Sequence, residues 1–254
     1  MLDLENILGA AVFVGARIAG LLTFAPFLGS AAIPMRIKAG LALTLTYLLF
    51  PVCAPKPVSY SSATWLQIAA TELLIGLLMG LAVSFVFEAA QLAGQVIGLQ
   101  IGFSLVNVMD PQTQVDTPVV STFYQLIALL IFLQLNVHHW LLRAVANSFG
   151  YLPPGSSLPA GALTDVVLHA AGGIFLTGVQ IAAPVLFGTL MVDVALGFIG
   201  KASPQLPVLF LGLSIKALLG FTIMSATLAL WPGRFERYFA HSISLAEQLL
   251  HLAK

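Results

Sequence analysis

Apolar runs long enough to cross a bilayer alternate with short, polar, proline-bearing links along this chain. Residues 7–29 form the first run, broken only by Arg17, and LGSAAIPMRIK (28–38), with Pro34 and two cations, reads as a turn or re-entrant link. A second run covers 39–54 and ends at PVCAPKP, where three prolines forbid a helix interior. Ser61, Ser62 or Thr64 then offers an N-cap for a third helix. From Trp65 to about Phe103 no proline interrupts. At 1.5 Å per residue that helix reaches about 55–60 Å, nearly twice a hydrocarbon core. It must tilt strongly, break at a glycine or project beyond the membrane. The polar stretch FSLVNVMDPQTQVDTP (103–118) follows, and 121–142 predicts a fourth helix, interrupted by Arg143. GYLPPGSSLPAG (150–161) is a loop by any turn criterion. Thr164 or Asp165 caps a fifth helix over 165–199, with a kink expected at Pro184. After a turn at 200–207, residues 208–230 make a sixth helix, which WPGRFERYFA closes before an amphipathic tail to Lys254.

Composition turns this pattern into a class. Of 254 residues, 59% are hydrophobic and 8% charged, against about 25% charged in ordinary soluble domains. Mean hydropathy is +1.00. Because the apolar runs are continuous rather than alternating, the expectation is an all-α integral membrane protein of about six long, partly broken helices in hairpins. The whole of 1–254 reads as one membrane domain, with no separate soluble part. MLDLEN is acidic where a cleavable signal would be basic, so none is expected. Ten basic against ten acidic residues give no basic field for nucleic acid. The lone Cys53 excludes an intrachain disulfide. Orientation is less simple. The cation pairs Arg36/Lys38 and Arg234/Arg237 should share the cytoplasmic side, yet five spans separate them. Either one helix is re-entrant or some runs do not cross lipid.

Small and ionisable residues on the helices carry the candidate chemistry. On the third helix Glu72, Gly76, Gly80, Ser84 and Glu88 recur every fourth residue, as do Gly94, Gly98 and Gly102. Small residues so spaced let another backbone approach closely, from this chain or from another subunit. Ionisable groups inside apolar runs cost about 2.5–3.5 kcal/mol each on insertion scales and face a cavity or a partner. Here they are Arg17, Glu72, Glu88, Arg143, Asp193 and Lys216. Glu72 and Glu88 are about 160° apart around their helix and share no face. Asp193 and Lys216 lie on successive helices joined by a short turn, where they form either a structural ion pair or an ion relay. His138 and His139 point about 100° apart, so they do not jointly chelate a metal. Trp140 beside them fits an interface anchor. HExxH, P-loop, GxSxG and cysteine-cluster signatures are absent, so no enzyme activity, cofactor or metal is expected.

RIAGLLTFAPFLGSAAIPMRIKAGLAL, GQVIGLQIGFSLVNVMDPQTQVDTPVV, LNVHHWLLRAVANSFGYLPPGS and ASPQLPVLFLGLSIKALLG follow one another over essentially the whole chain. Together, and in this order, the four segments resemble the FliR family of the flagellar type III protein-export gate. The injectisome homologues share the proline pattern, and NVHHW with SFGYLPPG reads as the flagellar branch. The resemblance implies a non-enzymatic channel subunit in the bacterial inner membrane, within the flagellar basal body. Its partners would be FliP-like and FliQ-like subunits, FlhB-like and FlhA-like export proteins, unfolded secreted substrates and membrane lipid, with no nucleic acid. It implies FliP-like helices over 1–150 and a FliQ-like hairpin plus tail over 162–254. In the assembly the helices would be held largely above the bilayer plane, which would remove both the over-long helix and the charge-parity conflict. The resemblance further places 103–118 as a pore plug. Leu105, Val108 and Met109 would form an apolar lip, Asp110 and Asp116 would keep the loop hydrated, and Pro111 and Pro118 would break the flanking helices. Arg17, Glu72, Glu88, Asp193 and Lys216 would be buried polar or inter-subunit positions. A reading of another class is a stand-alone transporter or ion channel using Asp193.

Overall fold

The computed structural model describes residues 4–26, 28–29, 33–53, 62–103, 119–156, 160–203, 205 and 207–252. Among them the regular elements are helices: α1 (Leu4–Phe24), α2 (Met35–Cys53), α3 (Ser62–Gln100), α4 (Val119–Gln134), α5 (Val137–Tyr151), α6 (Ala160–Ala202), α7 (Val208–Leu228) and α8 (Trp231–Leu252). Segments Ile7–Phe24, Met35–Cys53, Thr64–Gln100, Ala171–Ala202 and Phe210–Leu228 are each long and apolar enough to span a bilayer. The chain is an all-α membrane protein. Helix α3 runs unbroken for 39 residues, about 58 Å, and none of its glycines interrupts it.

Several boundaries differ from the sequence expectation. Arg36 and Lys38 are not in a link but in the first turn of α2. Pro34 starts that helix: its carbonyl accepts from the amides of Ile37 (2.9 Å) and Lys38 (3.3 Å), an entry position that needs no proline N–H. At the other end α2 continues through Pro51 to Cys53, so PVCAPKP does not stop the helix at its first proline. Helix α6 begins at Ala160, ahead of the expected caps Thr164 and Asp165, and carries Pro184 inside it. WPG opens α8 rather than closing α7, again with a proline in the first turn.

The largest difference is in the expected fourth helix. It is two helices, α4 and α5, bent by 65°. Leu135 and Asn136 form the break, with Asn136 in the left-handed region at φ 54°. Asparagine tolerates that conformation better than most residues. If the bent pair crosses the membrane, five crossings separate Arg36 from Arg234. If it turns back, four do, and the parity conflict is gone.

Two compact units are built from interleaved stretches of the chain. The first comprises Met1–Val86, Phe132–Ala171 and Arg237–Lys254. In it α1 and α3 meet backbone to backbone. A Cβ on Gly20 would overlap the Leu73 carbonyl, one on Gly76 the Arg17 carbonyl, and one on Gly80 would lie 2.6 Å from the Leu21 oxygen. Val14, Ile18, Leu21, Ile75, Met79 and Val83 fill the space around this contact and are buried. In lipid, apolar side chains gain little by leaving their surroundings for one another, so such close packing is a main source of helix association. The apolar face of α8 packs in the same unit, with Phe239 edge-on to Phe132 at 5.6 Å.

The second unit comprises Phe87–Ile131 and Gly172–Glu236. Gly94 lies against the Ser121 backbone, Gly178 against Ala89 and Leu92, and Gly188 against Ile223. The Gly94 and Gly98 ridge therefore has partners within the chain. Gly102, expected in the same ridge, has a different role. Its φ is 92°, its amide donates to Leu99 (3.2 Å), and the Phe103 amide donates to the Gly98 carbonyl (2.9 Å). These two bonds make a Schellman termination of α3, with Gly102 at its left-handed position. Replacing Gly102 with Ala should cost about 1 kcal/mol or more, read as a lower unfolding temperature of the detergent-solubilised protein. An unchanged temperature would remove this role.

Candidate functional site

The residues bounding the polar 104–118 stretch are held together inside the second unit. Helix α3 ends next to the start of α4 because Gly94 leaves no side chain between them, while a Cβ at Gly98 would make only ordinary contact with Val120. A Cβ on Gly94 would sit 2.9 Å from the Val120 oxygen, and one on Gly98 3.6 Å from the Val120 Cβ. A fifteen-residue segment thus leaves and returns at one clasped base. Beside that base is a cavity of about 240 Å³ lined by Phe103, Val119, Phe123, Phe221, Met224 and Trp231, among others. Phe103 meets Phe221 edge-on at 5.8 Å, and Trp231 covers the buried Tyr124 at 4.5 Å. Leu105, Val108, Met109, Asp110, Pro111, Asp116 and Pro118 lie outside the described residues.

In the first unit the structure brings Arg17 and Glu72 together. Both are buried, at 0% and 1% exposure. The Arg17 guanidinium donates from Nε to Glu72 Oε2 (2.6 Å), from Nη1 to Ser148 Oγ (2.7 Å) and from Nη2 to the Leu152 carbonyl (2.9 Å). One face of the guanidinium rests on the Phe149 ring, 3.9 Å from its centroid, a favourable cation–π position. The Ser148 hydroxyl in turn donates to the Val145 carbonyl (2.6 Å). One cation therefore ties α1 to α3 and to the last turn of α5, immediately before the Pro153–Pro154–Gly155 loop. The same Arg17 contributes the carbonyl on which Gly76 packs. Its chemistry is structural: Nε, Nη1 and Nη2 are each engaged by a group of this chain, and the guanidinium is fully buried.

Sequence reasoning singled out Arg17 and Glu72 separately and missed Ser148, Phe149 and Leu152. A signal did exist. Glu72 and Gly76 are one helical turn apart and share a face, so the helix that packs on Gly76 must also meet Glu72. Glu88 is exposed on the other side of α3, and Arg143 is exposed on α5. In the second unit Lys216 forms an ion pair with Asp193 Oδ1. Gln100 Nε2 donates to Asp193 Oδ2 at 3.2 Å. The Lys216 and Asp193 side chains are 19% and 41% exposed, so the pair is only partly covered by this chain. The His138 and His139 rings lie 4.2 Å apart between centroids, tilted by 50°. Among the described residues no three His, Cys, Asp or Glu side chains are grouped to hold a metal ion.

The family described as bacterial export proteins, family 1, matches residues 8–242. The chain is 32% identical over 235 residues to the flagellar biosynthetic protein FliR of Escherichia coli (strain K12), covering 92% of this chain and 90% of that one. It is 31% identical over 251 residues to the protein of the same name in Pectobacterium carotovorum subsp. carotovorum, covering 98% and 95%. With the Bacillus subtilis (strain 168) protein of that name it shares 29% over 255 residues, covering 99% and 98%.

Proposed function

The chain belongs to the bacterial export proteins, family 1, and on that footing we propose that it is the gate subunit of a flagellar export channel. Membership and the FliR relatives make it a membrane component of the flagellar export apparatus. The finer reading is a non-enzymatic subunit in the inner membrane. It forms, with FliP-like and FliQ-like subunits, the passage for unfolded flagellar proteins. FlhB-like and FlhA-like proteins complete the assembly, and the driving force comes from them or beyond, since the chain carries no nucleotide signature. Residues 1–150 take the FliP-like place and 162–254 the FliQ-like place.

Within that reading, 103–118 plugs the closed pore. The observation that carries it is the clasped base: a polar, proline-broken segment joins two apolar helices that Gly94 allows to pack backbone to backbone. A loop anchored this way is displaced without unpacking the helices that bear it. Its apolar lip of Leu105, Val108 and Met109 excludes water and ions, while Asp110 and Asp116 stay hydrated. Deleting residues 106–117 should leave the assembly intact and make it leak ions in a planar-bilayer or cell-swelling measurement. Unchanged conductance in a complex that still forms would sink the plug.

The charged positions fit the same proposal. The Asp193–Lys216 pair on the α6–α7 hairpin is only partly covered by this chain, which supports its meeting a homologous neighbour. A stand-alone transporter binding a cation at Asp193 is disfavoured because the Lys216 ammonium is already the counter-charge of that carboxylate. The flagellar names of the relatives favour that system over the injectisome.

A further inference from the structure

Helix α2 differs from the other spans in how little of it the chain covers. Met35 is 79% exposed, Leu43 72%, Tyr47 81% and Val52 77%, while Thr46 and Cys53 form its buried edge against the rest of the first unit. At 19 residues it is about 28 Å long, close to the thickness of a hydrocarbon core. It contains no acidic residue, and both its cations, Arg36 and Lys38, are at the N-terminal end. Lys38 turns inward and donates to the Gly29 carbonyl at 2.9 Å. Arg36 is exposed and has no ion-pair partner among the described residues.

Helical geometry puts Arg36 at the head of a stripe. Arg36, Gly40, Leu43 and Tyr47 fall within about 60° of one another around the axis. A Cβ on Gly40 would meet nothing within 4 Å, so the stripe has a shallow notch between its cation and its apolar residues. The distance along the axis from Arg36 to Tyr47 is about 16 Å, within the reach of a phospholipid acyl chain. We propose that this stripe seats an anionic phospholipid, with the headgroup phosphate on the Arg36 guanidinium and one acyl chain lying over Gly40, Leu43 and Tyr47. A guanidinium offers a phosphate two parallel hydrogen bonds, and the Lys38 charge nearby favours a headgroup of net negative charge over a zwitterionic one. Helix α2 is then a part of the chain that lipid, rather than a companion subunit, covers. This holds whether or not residues 104–118 plug a pore.

The test uses the full-length chain, in the assembly that co-purifies with it, reconstituted in nanodiscs of phosphatidylglycerol and phosphatidylcholine. Native mass spectrometry should show phosphatidylglycerol retained in preference to phosphatidylcholine. Arg36→Gln should lower that retention about fivefold, and Arg36→Lys, which keeps the charge but not the two parallel hydrogen bonds, should lower it by a smaller factor. A spin label at Tyr47→Cys, in a Cys53→Ala background, should collide freely with dissolved oxygen and poorly with a water-soluble nickel chelate. Equal retention of the two lipids, or retention indifferent to Arg36→Gln, overturns the headgroup site. A label shielded from oxygen in the assembly overturns the lipid assignment and makes α2 a protein-covered helix.

Discussion

Replacing Arg17 with Met should destabilise the chain by about 3–5 kcal/mol, enough to empty most of it from the membrane fraction of expressing cells. The cost is not simply the loss of one attraction. Glu72 is 1% exposed, and its carboxylate is paired with the Arg17 guanidinium. Without Arg17 it becomes a buried carboxylate with no counter-charge, the costly half of a broken pair. The Leu152 carbonyl also loses its donor, so the end of α5 is no longer tied to α1. A second substitution separates this account from a general intolerance of change at position 17. In the double variant Arg17→Met, Glu72→Leu the stranded charge is gone, and replacing a whole buried pair by apolar groups is often close to neutral. At least half of the lost stability should return, less than all of it because Leu152 remains without its donor. Thermal unfolding of the two single variants and the double variant in detergent gives the coupling energy directly. Independent, additive losses would show that Arg17 and Glu72 do not act as a pair.

Substituting Gly76 by Ala should be nearly as damaging, although it adds only a methyl group. The new Cβ would collide with the Arg17 carbonyl and lie within 2.9 Å of the Leu21 amide nitrogen. Both obstacles are backbone atoms of a packed helix, so neither can swing aside as a side-chain tip would. Helices α1 and α3 would have to part, and the Arg17 donors would be drawn away from Glu72 as they did. Overpacking of this kind costs about 1–3 kcal/mol and occasionally more. The matched control is Gly197→Ala on α6, where an added Cβ meets nothing within 4 Å. There the better helix propensity of alanine should win, with a gain of up to about 1 kcal/mol. The two changes are chemically the same and opposite in sign, and unfolding temperatures of the purified variants would read both. Two similar losses would mean that glycine is needed for something other than close approach.

The sequence by itself determined the class and most of the helices, because these follow from local properties. Continuous apolar runs without proline specify helix wherever they are buried, and α3 is as long as the absence of a breaker from Trp65 onward allows. The polar character of 103–118 was equally legible, and the loop expected over 150–161 was too long at both ends, since α5 runs to Tyr151 and α6 starts at Ala160. The α4–α5 break was not, since it falls at Leu135–Asn136 with neither glycine nor proline to mark it. Asn136 can adopt a left-handed conformation but is not compelled to. Gly102 looked like one more member of a small-residue ridge, and only the hydrogen bonds of the chain beyond it made it a terminator. The tertiary structure alone decided which buried groups meet. Arg17 finds Glu72 across 55 residues and Ser148 across 131, separations at which periodicity carries no information. An apolar run reads the same whether lipid, a sister helix or another subunit covers it. What distinguishes those cases is a close approach at a glycine or a charge that needs a partner, and both are properties of two segments at once.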